Sequence, residues 1–392
     1  MSIKLRFGDP VLVAMGPDNS VGWGPYQFPN MKRQPDGKIT IHFHDTEDSC
    51  EAYGTEKAWA VSEDNGKTWS RIPAADIPKY KMGHGIPLPS GKYIRTVNFH
   101  NHPVDTDYYK QFPNCAPMRE GYAIPSEDLP DDMFPKTFAY GHYDPETGED
   151  EVFFTNLDFP GLNIYQLKSG ALVRPQTSDA LIVAPDGSLW DISFGWHRNP
   201  KNLGHTSPYF SVYFLHSTDE GRSFRMTGWI QYVPDTNEFP KAFQAEGFCE
   251  PHLFFAKDGS MVTLMRTGTG MPSYISRSAD CGCTWSKPVK FDDCGVYPQT
   301  LTLGCGVTLA AYGRPCLYVR ATDDPSGMIW DDPIQLMYGS LYTPVAASCY
   351  YTTWLALDER TALLTYADFH IPDENGVDRK CIMVRTVQVE EE

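Results

Sequence analysis

The fold is decided by a repeated octet, which first occurs as SEDNGKTW at residues 62–69. It returns as STDEGRSF at 217–224 and SADCGCTW at 278–285, with a looser copy, TDDPSGMIW, at 322–330. In each copy the Asp can accept hydrogen bonds from N–H groups of its own turn, and the Gly can supply a positive φ. The final aromatic ring can hold the turn against neighbouring strands. The octet therefore predicts a β-hairpin that recurs along the chain.

A second turn precedes the complete octets and sets the repeat length. It reads PDGK at 35–38, PDGS at 185–188 and KDGS at 257–260. Similar turns near 90, 304 and 358 give about six units of short strands, as in a repeat architecture. We therefore predict an all-β fold, a six-bladed β-propeller of four-stranded antiparallel blades. It would form a single domain over residues 1–392 with a long loop insertion around 100–165; a pair of β-sandwiches or a solenoid is the alternative.

Composition restricts the partners of the chain. Its 392 residues include 33 Lys+Arg and 50 Asp+Glu, a net charge of −17, which argues against nucleic acid or an anionic membrane. The counts of 32 Gly and 32 Pro favour short strands over long helices. No apolar run is long enough to span a membrane, and no signal peptide is recognised, so the expected location is cytoplasmic. The ten cysteines have irregular spacings, which indicates mostly reduced, buried thiols and no zinc site.

The octet is similar to the Asp-box hairpin, and the chain resembles the sialidase (neuraminidase) superfamily of six-bladed propellers from about residue 27 to 387. In that family the box lies on outer hairpins, away from the active site, so it predicts the fold more strongly than the function. The resemblance implies an exo-acting glycoside hydrolase of the retaining type, with a glycan or small oligosaccharide as its substrate. It implies neither a metal nor a cofactor.

Three segments resemble the family's catalytic segments. By this resemblance Glu250 in GFCEPH matches the glutamate that partners the nucleophile, and Arg266 matches an Arg of the triad that binds the substrate carboxylate. Arg314 in YGRP matches a second triad Arg. Tyr351 in CYYTTWLAL matches the tyrosine nucleophile, with Tyr350 as its nearest rival.

These residue types suit a substrate with a carboxylate on its anomeric carbon. A carboxylate nucleophile would be repelled, by about 4 kcal/mol at about 4 Å and an effective dielectric constant near 20. A neutral phenol avoids this repulsion when a nearby carboxylate accepts its proton, and sialidases use a tyrosine for this purpose. Arginine side chains can bind the substrate carboxylate as planar, charge-assisted forks.

The sequence departs from the family at two places. Gln27 stands where the first triad Arg is expected, and its amide can bind a neutral hydroxyl or amide instead. The general acid should come from the loop HDTEDSCE at 44–51, where Asp48 is preferred, then Asp45. Glu47 and Glu51 are the other candidates.

Histidines offer a different chemistry. His84 and His252 are predicted to bind substrate, and His100 and His102 are candidates for the same channel. Histidine and tyrosine acid–base pairs would suit a polysaccharide lyase acting on uronic-acid glycans, which is the alternative enzyme class. A glycan-binding propeller without catalytic activity is the other alternative. The oligomeric state is left open.

Overall fold

The computed structural model describes residues 3–17, 22–48, 57–99, 101–119, 121–133, 135–175, 177 and 181–390. Strands are the main regular structure of these residues, and one α-helix, α1 (Ile77–Gly83), occurs among them. Short 3-10 turns occur at Ala74–Asp76, Tyr108–Gln111, Ser126–Asp128 and Ala242–Gln244. Within the described part of the chain, no helix is long and apolar enough to cross a membrane.

The chain divides into two compact units. The first unit comprises Met1–Gly85, His252–Arg277 and Ser286–Glu392, and the second comprises Ile86–Pro251 and Ser278–Trp285. The single domain over residues 1–392 stays a prediction.

The first unit is built from antiparallel sheets. One sheet has the order β3 (Gln27–Arg33), β4 (Ile39–His44), β5 (Ala58–Ser62), β6 (Ser70–Arg71). A second has the order β27 (Val296–Thr302), β28 (Thr308–Gly313), β29 (Leu317–Thr322), β30 (Ile334–Met337). A third, mostly in this unit, has the order β23 (Cys249–Phe255), β24 (Met261–Arg266), β25 (Ser273–Ser278), β26 (Val289–Asp292).

A further sheet of the first unit joins the beginning of the chain to its end. It contains β31 (Thr353–Ala356), β32 (Thr361–Pro372) and β33 (Asp378–Val389), with β1 (Leu5–Phe7) and β2 (Val11–Met15) both paired to β33. Leu5 lies opposite Val389, and Val11 lies opposite Val384. Residues 5–15 therefore complete a sheet that the last hairpin leaves open, which satisfies the backbone groups of its edge.

Besides a five-stranded sheet formed by strands between residues 102 and 173, the second unit contains two further sheets and a hairpin. One sheet has the order β13 (Asp150–Phe154), β12 (Ala139–Tyr143), β8 (Tyr93–Thr96), β7 (Ile86–Pro87). The other has the order β14 (Asn156–Asp158), β22 (Ser223–Ile230), β21 (Ser211–Ser217), β18 (Leu189–Gly195), β17 (Ile182–Val183), in which β14 runs parallel to β22. The hairpin pairs β19 (Arg198–Asn199) with β20 (Asn202–Thr206).

The long loop insertion expected around 100–165 needs correction, because much of it is strand. It contributes to a five-stranded sheet of order β10 (Ala116–Pro117), β11 (Gly121–Pro125), β15 (Asn163–Leu167), β16 (Ala171–Val173), β9 (His102–Pro103). Ile124, Ile164 and Leu172 are buried together in a small core of their own. The frequent prolines suggested loops, but these apolar side chains supply enough burial to hold short strands.

Each octet links the third and fourth strands of its sheet and has the hydrogen bonds expected from its sequence. In the first copy Ser62 Oγ donates to Asp64 Oδ1 at 2.9 Å, and Thr68 N and Oγ1 donate to the same carboxylate at 2.9 and 2.7 Å. The indole of Trp69 donates to Gly66 O at 3.1 Å, and Gly66 has a φ of +86°. The carboxylates of the copies at 217–224 and 278–285 are bonded in the same way, and the looser copy keeps the Asp and Trp bonds. The predicted hairpin geometry is confirmed.

Asp64 gives the first hairpin a predictable dependence on pH. Hydrogen bonds from the Thr68 side chain, and then from the Thr68 N–H, lower the pKa of Asp64 from 3.8 to about 2. A depressed folded-state pKa contributes stability that is present above the unfolded pKa and is lost as the pH falls through the folded pKa. We therefore expect Asp64→Asn to flatten the loss of thermal stability between about pH 4 and pH 2. If the melting temperature of the variant falls with pH as steeply as that of the wild type, the prediction is contradicted.

Candidate active site around Tyr351

Tyr351 is held two residues before β31 by contacts from distant segments of the first unit. Arg266, the last residue of β24, donates from Nη1 to Tyr351 Oη at 3.3 Å and is only 8% exposed. The two residues are 85 positions apart in the sequence. A guanidinium group at this distance stabilises negative charge on the phenol oxygen.

Arg314 lies beside the same ring. It follows β28 directly, is 6% exposed, and has its guanidinium carbon 5.9 Å from the centroid of the Tyr351 ring. Its Nη1 donates to Thr269 Oγ1 at 3.0 Å, and its Nη2 donates to Cys349 O at 2.8 Å. The guanidinium carbon of Arg314 also lies 5.1 Å from the centroid of the Trp23 ring. Two buried cations therefore converge on one tyrosine.

Three aromatic residues, which sequence reasoning missed, fix the Tyr351 ring and its surroundings. Tyr297 stacks on Tyr351 with centroids 4.2 Å apart, and Phe28 meets it edge-on at 4.8 Å. Trp23 contacts Phe28 in turn at 5.8 Å. We call Trp23, Phe28, Tyr297 and Tyr351 the aromatic cluster. No spacing pattern in the sequence predicts the aromatic cluster, because its members come from three separate segments.

The backbone around the aromatic cluster adopts unusual conformations. Phe28, Tyr297, Arg314 and Tyr350 have positive φ values between +48° and +65°, which are uncommon for bulky residues. Such conformations persist only where surrounding structure enforces them, and they concentrate at functional sites. This observation points to the same region as the converging arginines.

Tyr350, the rival nucleophile, lies in a different environment. Its ring is fully buried, and its hydroxyl has no hydrogen-bond partner among the described residues. Burial raises the pKa of Tyr350, so this phenol is hard to ionise. Tyr351, which is half-buried and contacts Arg266, fits the role better.

Glu250 belongs to the second unit. It lies in β23, is half-buried and has a φ of +43°. Its pairing with Tyr351 therefore stays a prediction.

The acidic loop after β4 is attached to the aromatic cluster through its backbone. Asp48 N donates to Trp23 O at 3.0 Å, and the Asp48 side chain is half-buried. Asp45 and Glu47 are exposed, and Glu51 lies outside the described residues. Among the described acids of this loop, Asp48 is thus the one tied most directly to the site.

Gly24 allows the acidic loop to approach Trp23, and this gives a prediction. A Cβ at Gly24, where φ is +117°, would overlap Asp48 N and lie 2.6 Å from Thr46 O. We expect Gly24→Ala to displace the loop and lower kcat by at least about tenfold. Gly22→Ala is the matched control, because Gly22 also has a positive φ, +85°, but a Cβ there meets no atom of the described residues within 4 Å. Equal losses in both variants would show that backbone strain alone explains the effect.

Gln27 is fully buried at the start of β3, next to Phe28. Neither its amide nitrogen nor its amide oxygen has a hydrogen-bond partner among the described residues. An unpaired buried amide is costly, about 1–3 kcal/mol per group, so a native structure retains one only for a reason.

The predicted substrate-binding histidines are engaged by the protein. His84 Nδ1 lies 2.9 Å from Thr40 Oγ1, and its Nε2 lies 3.2 Å from Asn30 Oδ1. Burial lowers the pKa of His84 well below 6.5, with a smaller contribution from Lys32. His252 Nδ1 lies 2.8 Å from Thr300 Oγ1, and burial lowers its pKa to about 3. Both imidazoles are therefore neutral near pH 7.

The remaining candidate residues are outside this cluster. His102 lies in β9 of the second unit, and His100 lies outside the described residues. In the described ranges, no three His, Cys, Asp or Glu residues are grouped so that they could hold a metal ion. No disulfide joins any two of the nine cysteines that the structure describes: Cys249, Cys294, Cys316, Cys349 and Cys381 are buried, Cys115 and Cys305 half-buried, and Cys281 and Cys283 exposed.

The chain is thus nearly all β, and its fold is similar to that of known β-propeller glycosidases. A protein of unknown function from Dyadobacter fermentans matches with a TM-score of 0.66 and 15% identity, over 98% of this chain and 99% of that one. The Hadza microbial sialidase Hz136 matches with a TM-score of 0.53 and 13% identity, over 93% of this chain but only 65% of that one. An α-L-arabinanase from Penicillium chrysogenum, complexed with arabinobiose, matches with a TM-score of 0.51 and 12% identity, over 97% and 98%. No protein-family model and no curated protein matches the sequence.

Proposed function

We propose that the chain is an exo-acting, retaining glycoside hydrolase that releases a terminal anionic, sialic-acid-like sugar from a glycan. The observation that carries this proposal is the convergence of two buried arginines, Arg266 and Arg314, on the phenol of Tyr351. Two of the similar structures are named as a sialidase and an arabinanase, both of which cleave glycosidic bonds.

The proposed architecture is a six-bladed propeller. Seven of the described sheets have at least four strands, and the proposed blades are the six that contain β3, β7, β17, β23, β27 and β31, each with an antiparallel meander. The pairing of β1 with β33 supports a ring that is closed by strands from both ends of the chain. The five-stranded sheet of β9, β10, β11, β15 and β16 would be an addition to this ring.

In the proposed reaction, Tyr351 Oη attacks the anomeric carbon while Glu250 accepts the phenol proton. Asp48 donates its proton to the glycosidic oxygen as the bond to the leaving group breaks. The products of this step are a sugar–tyrosine ether and the free aglycone. Asp48 then removes a proton from water, which attacks the same carbon; the bond from this carbon to Tyr351 Oη breaks, and Glu250 returns its proton to the phenol oxygen. Two inversions give net retention.

The two arginines support an anionic substrate. Arg266 and Arg314 would bind the sugar carboxylate by charge-assisted hydrogen bonds and also stabilise the ionised phenol. Gln27 would bind a neutral hydroxyl or amide of the sugar in place of a third guanidinium group, which would satisfy its amide. His84 and His252 would act as neutral positioning residues, since their ring nitrogens already contact protein groups.

The low pKa values of the buried histidines disfavour the lyase alternative. A histidine whose pKa is about 3, such as His252, is a weak base near pH 7 and is rarely protonated. A lyase would need an efficient base and acid in this position. The hydrolase needs neither from a histidine.

The test is a panel of aryl glycosides of sialic, uronic and neutral sugars, followed by NMR of the released sugar. We expect hydrolysis of an anionic sugar with its anomeric configuration retained in the first product. An unsaturated product that absorbs in the near ultraviolet would identify a lyase. An inverted product would exclude the tyrosine nucleophile, and binding of a glycan without turnover would identify a binding protein.

A further inference from the structure

A surface loop that packs against Pro315 and Tyr350 exposes an unusual set of apolar side chains. We call residues 338–345, YGSLYTPV, the rim loop. Tyr338 is 84% exposed, Leu341 is 76% exposed and Tyr342 is 97% exposed. Contiguous exposed apolar groups on a folded protein commonly mark a binding surface.

The rim loop begins in close contact with Pro315 and Tyr350. A Cβ at Gly339 would overlap Pro315 O and lie 2.5 Å from Tyr350 Oη, so only glycine can approach this closely. Pro315 follows Arg314, and Tyr350 precedes Tyr351. The loop is therefore anchored against both segments that supply the proposed machinery.

The shape of the rim loop is set by its own hydrogen bonds. Tyr342 N donates to Ser340 Oγ at 3.2 Å, Thr343 N to Ser340 O at 3.2 Å, and Ala346 N to Thr343 O at 3.1 Å. These turns hold Leu341 and Tyr342 outward. Because the backbone is already ordered, binding a ligand there would cost little conformational entropy.

The charge of the segment indicates what it binds. No charged residue occurs from Pro333 to Leu357, although the chain carries a net charge of −17. Uncharged tyrosine rings present flat apolar faces with a polar tip, which suits the C–H face and hydroxyls of a neutral sugar ring. An anionic sugar would favour Arg266 and Arg314 instead.

We infer that the rim loop binds the neutral sugar that follows the scissile bond, on the leaving-group side. This inference rests on the proposed function, because in an exo-acting enzyme only the terminal sugar enters the site and the remainder of the glycan leaves past its rim. The substrate class is then an oligosaccharide in which a terminal anionic sugar is linked to a neutral one.

The experiment compares two substrates with the same terminal sugar, a glycosyl fluoride and a lactoside. The variant is Leu341→Ser combined with Tyr342→Ser, and Ile329→Ser is the control, because Ile329 is 73% exposed in the fourth octet. We expect KM for the lactoside to rise about tenfold with kcat nearly unchanged, the mark of lost ground-state binding. The fluoride, which has no second sugar, should be hydrolysed at the wild-type rate.

Three results would overturn the inference. The first is an equal loss for both substrates, and the second is no loss for either. The third is a wild-type dimer that the double variant converts to a monomer with unchanged kinetics, which would make the loop an interface between copies of the chain.

A second measurement keeps the two proposals separable. If the wild type hydrolyses neither substrate, the proposed function fails, and the rim loop is tested by affinity electrophoresis in gels that contain mucin or arabinan. Retarded migration of the wild type that is lost in the double variant would still support the loop as a sugar-binding surface. Unretarded migration of the wild type in both gels would overturn it.

Discussion

Tyr351→Phe is expected to lower kcat by at least about 10³-fold on the substrate that the glycoside panel identifies, because phenylalanine has no nucleophilic oxygen. The ring contacts with Tyr297 and Phe28 would remain, so the melting temperature should change by no more than about 2 °C. The measurement is a full set of steady-state kinetics combined with thermal unfolding of the same preparation. Wild-type kcat in the variant would remove Tyr351 from the mechanism.

The neighbouring tyrosine provides the matched control. Tyr350→Phe removes a buried hydroxyl that has no hydrogen-bond partner among the described residues, so no partner is left unsatisfied. We expect kcat within about threefold of wild type and a melting temperature that is equal or higher. If Tyr350→Phe inactivates the protein and Tyr351→Phe does not, the two tyrosines must exchange roles in the proposal.

Arg266→Met should produce the second large effect. The variant loses the guanidinium group that contacts Tyr351 Oη and that would bind the substrate carboxylate. Hydrogen bonds to charged groups contribute about 1.5–3 kcal/mol each, so two of them correspond to a loss in kcat/KM of about 10³-fold. For the same substrate with its carboxyl group converted to the methyl ester, kcat/KM should fall much less in this variant, because the ester carries no charge for Arg266 to bind.

Arg320→Met is the control for the loss of a partly buried arginine. Arg320 donates from Nη1 to Phe291 O at 2.7 Å and stacks over the Phe291 ring at 4.9 Å, so its loss should lower stability. It should leave the ratio of kcat/KM for acid and ester unchanged. If Arg266→Met lowers kcat/KM equally for the acid and the ester, the role of Arg266 is to hold Tyr351 and not to recognise the carboxylate.

The order of these effects follows from how the site is built. In the proposed mechanism Tyr351 is the reacting group, whereas Arg266 and Arg314 stabilise charge and hold the phenol in position. The aromatic cluster keeps the phenol in one orientation, and Gly24 allows the acidic loop to reach Trp23. The rim loop would add affinity for the leaving group without touching the reacting atoms. Substitutions in these different parts of the site are therefore expected to change kcat and KM in different ways.

Part of the site could be anticipated from the sequence, and part could not. The segments around Glu250, Arg314 and Tyr351 were predicted to meet. The structure brings Arg266 and Arg314 next to Tyr351, and the place of Glu250 beside them stays a prediction. Trp23, Phe28 and Tyr297 gave no signal, because single aromatic residues in short strands are most often core residues. The positive φ values of Phe28 and Tyr297 and the ring contacts of all three residues exist only in the folded chain.

The sequence alone determined the octet hairpins, because every bond that defines them joins residues at most four positions apart. Ser62, Asp64 and Thr68 specify their turn wherever the rest of the chain lies. It also determined that the strands would be short, since turn residues recur throughout. Local chemistry suffices for such features, because the entropy of closing a short loop is small.

Only the tertiary structure decided the environment of Tyr351. Arg266 is 85 positions away from it, and its other contacts come from β3, β27 and the turn after β28. The tertiary structure also decided that residues 5–15 complete the last sheet and that much of 100–165 is strand. Contacts between distant segments depend on how whole sheets pack, and no local pattern of residue types encodes that packing.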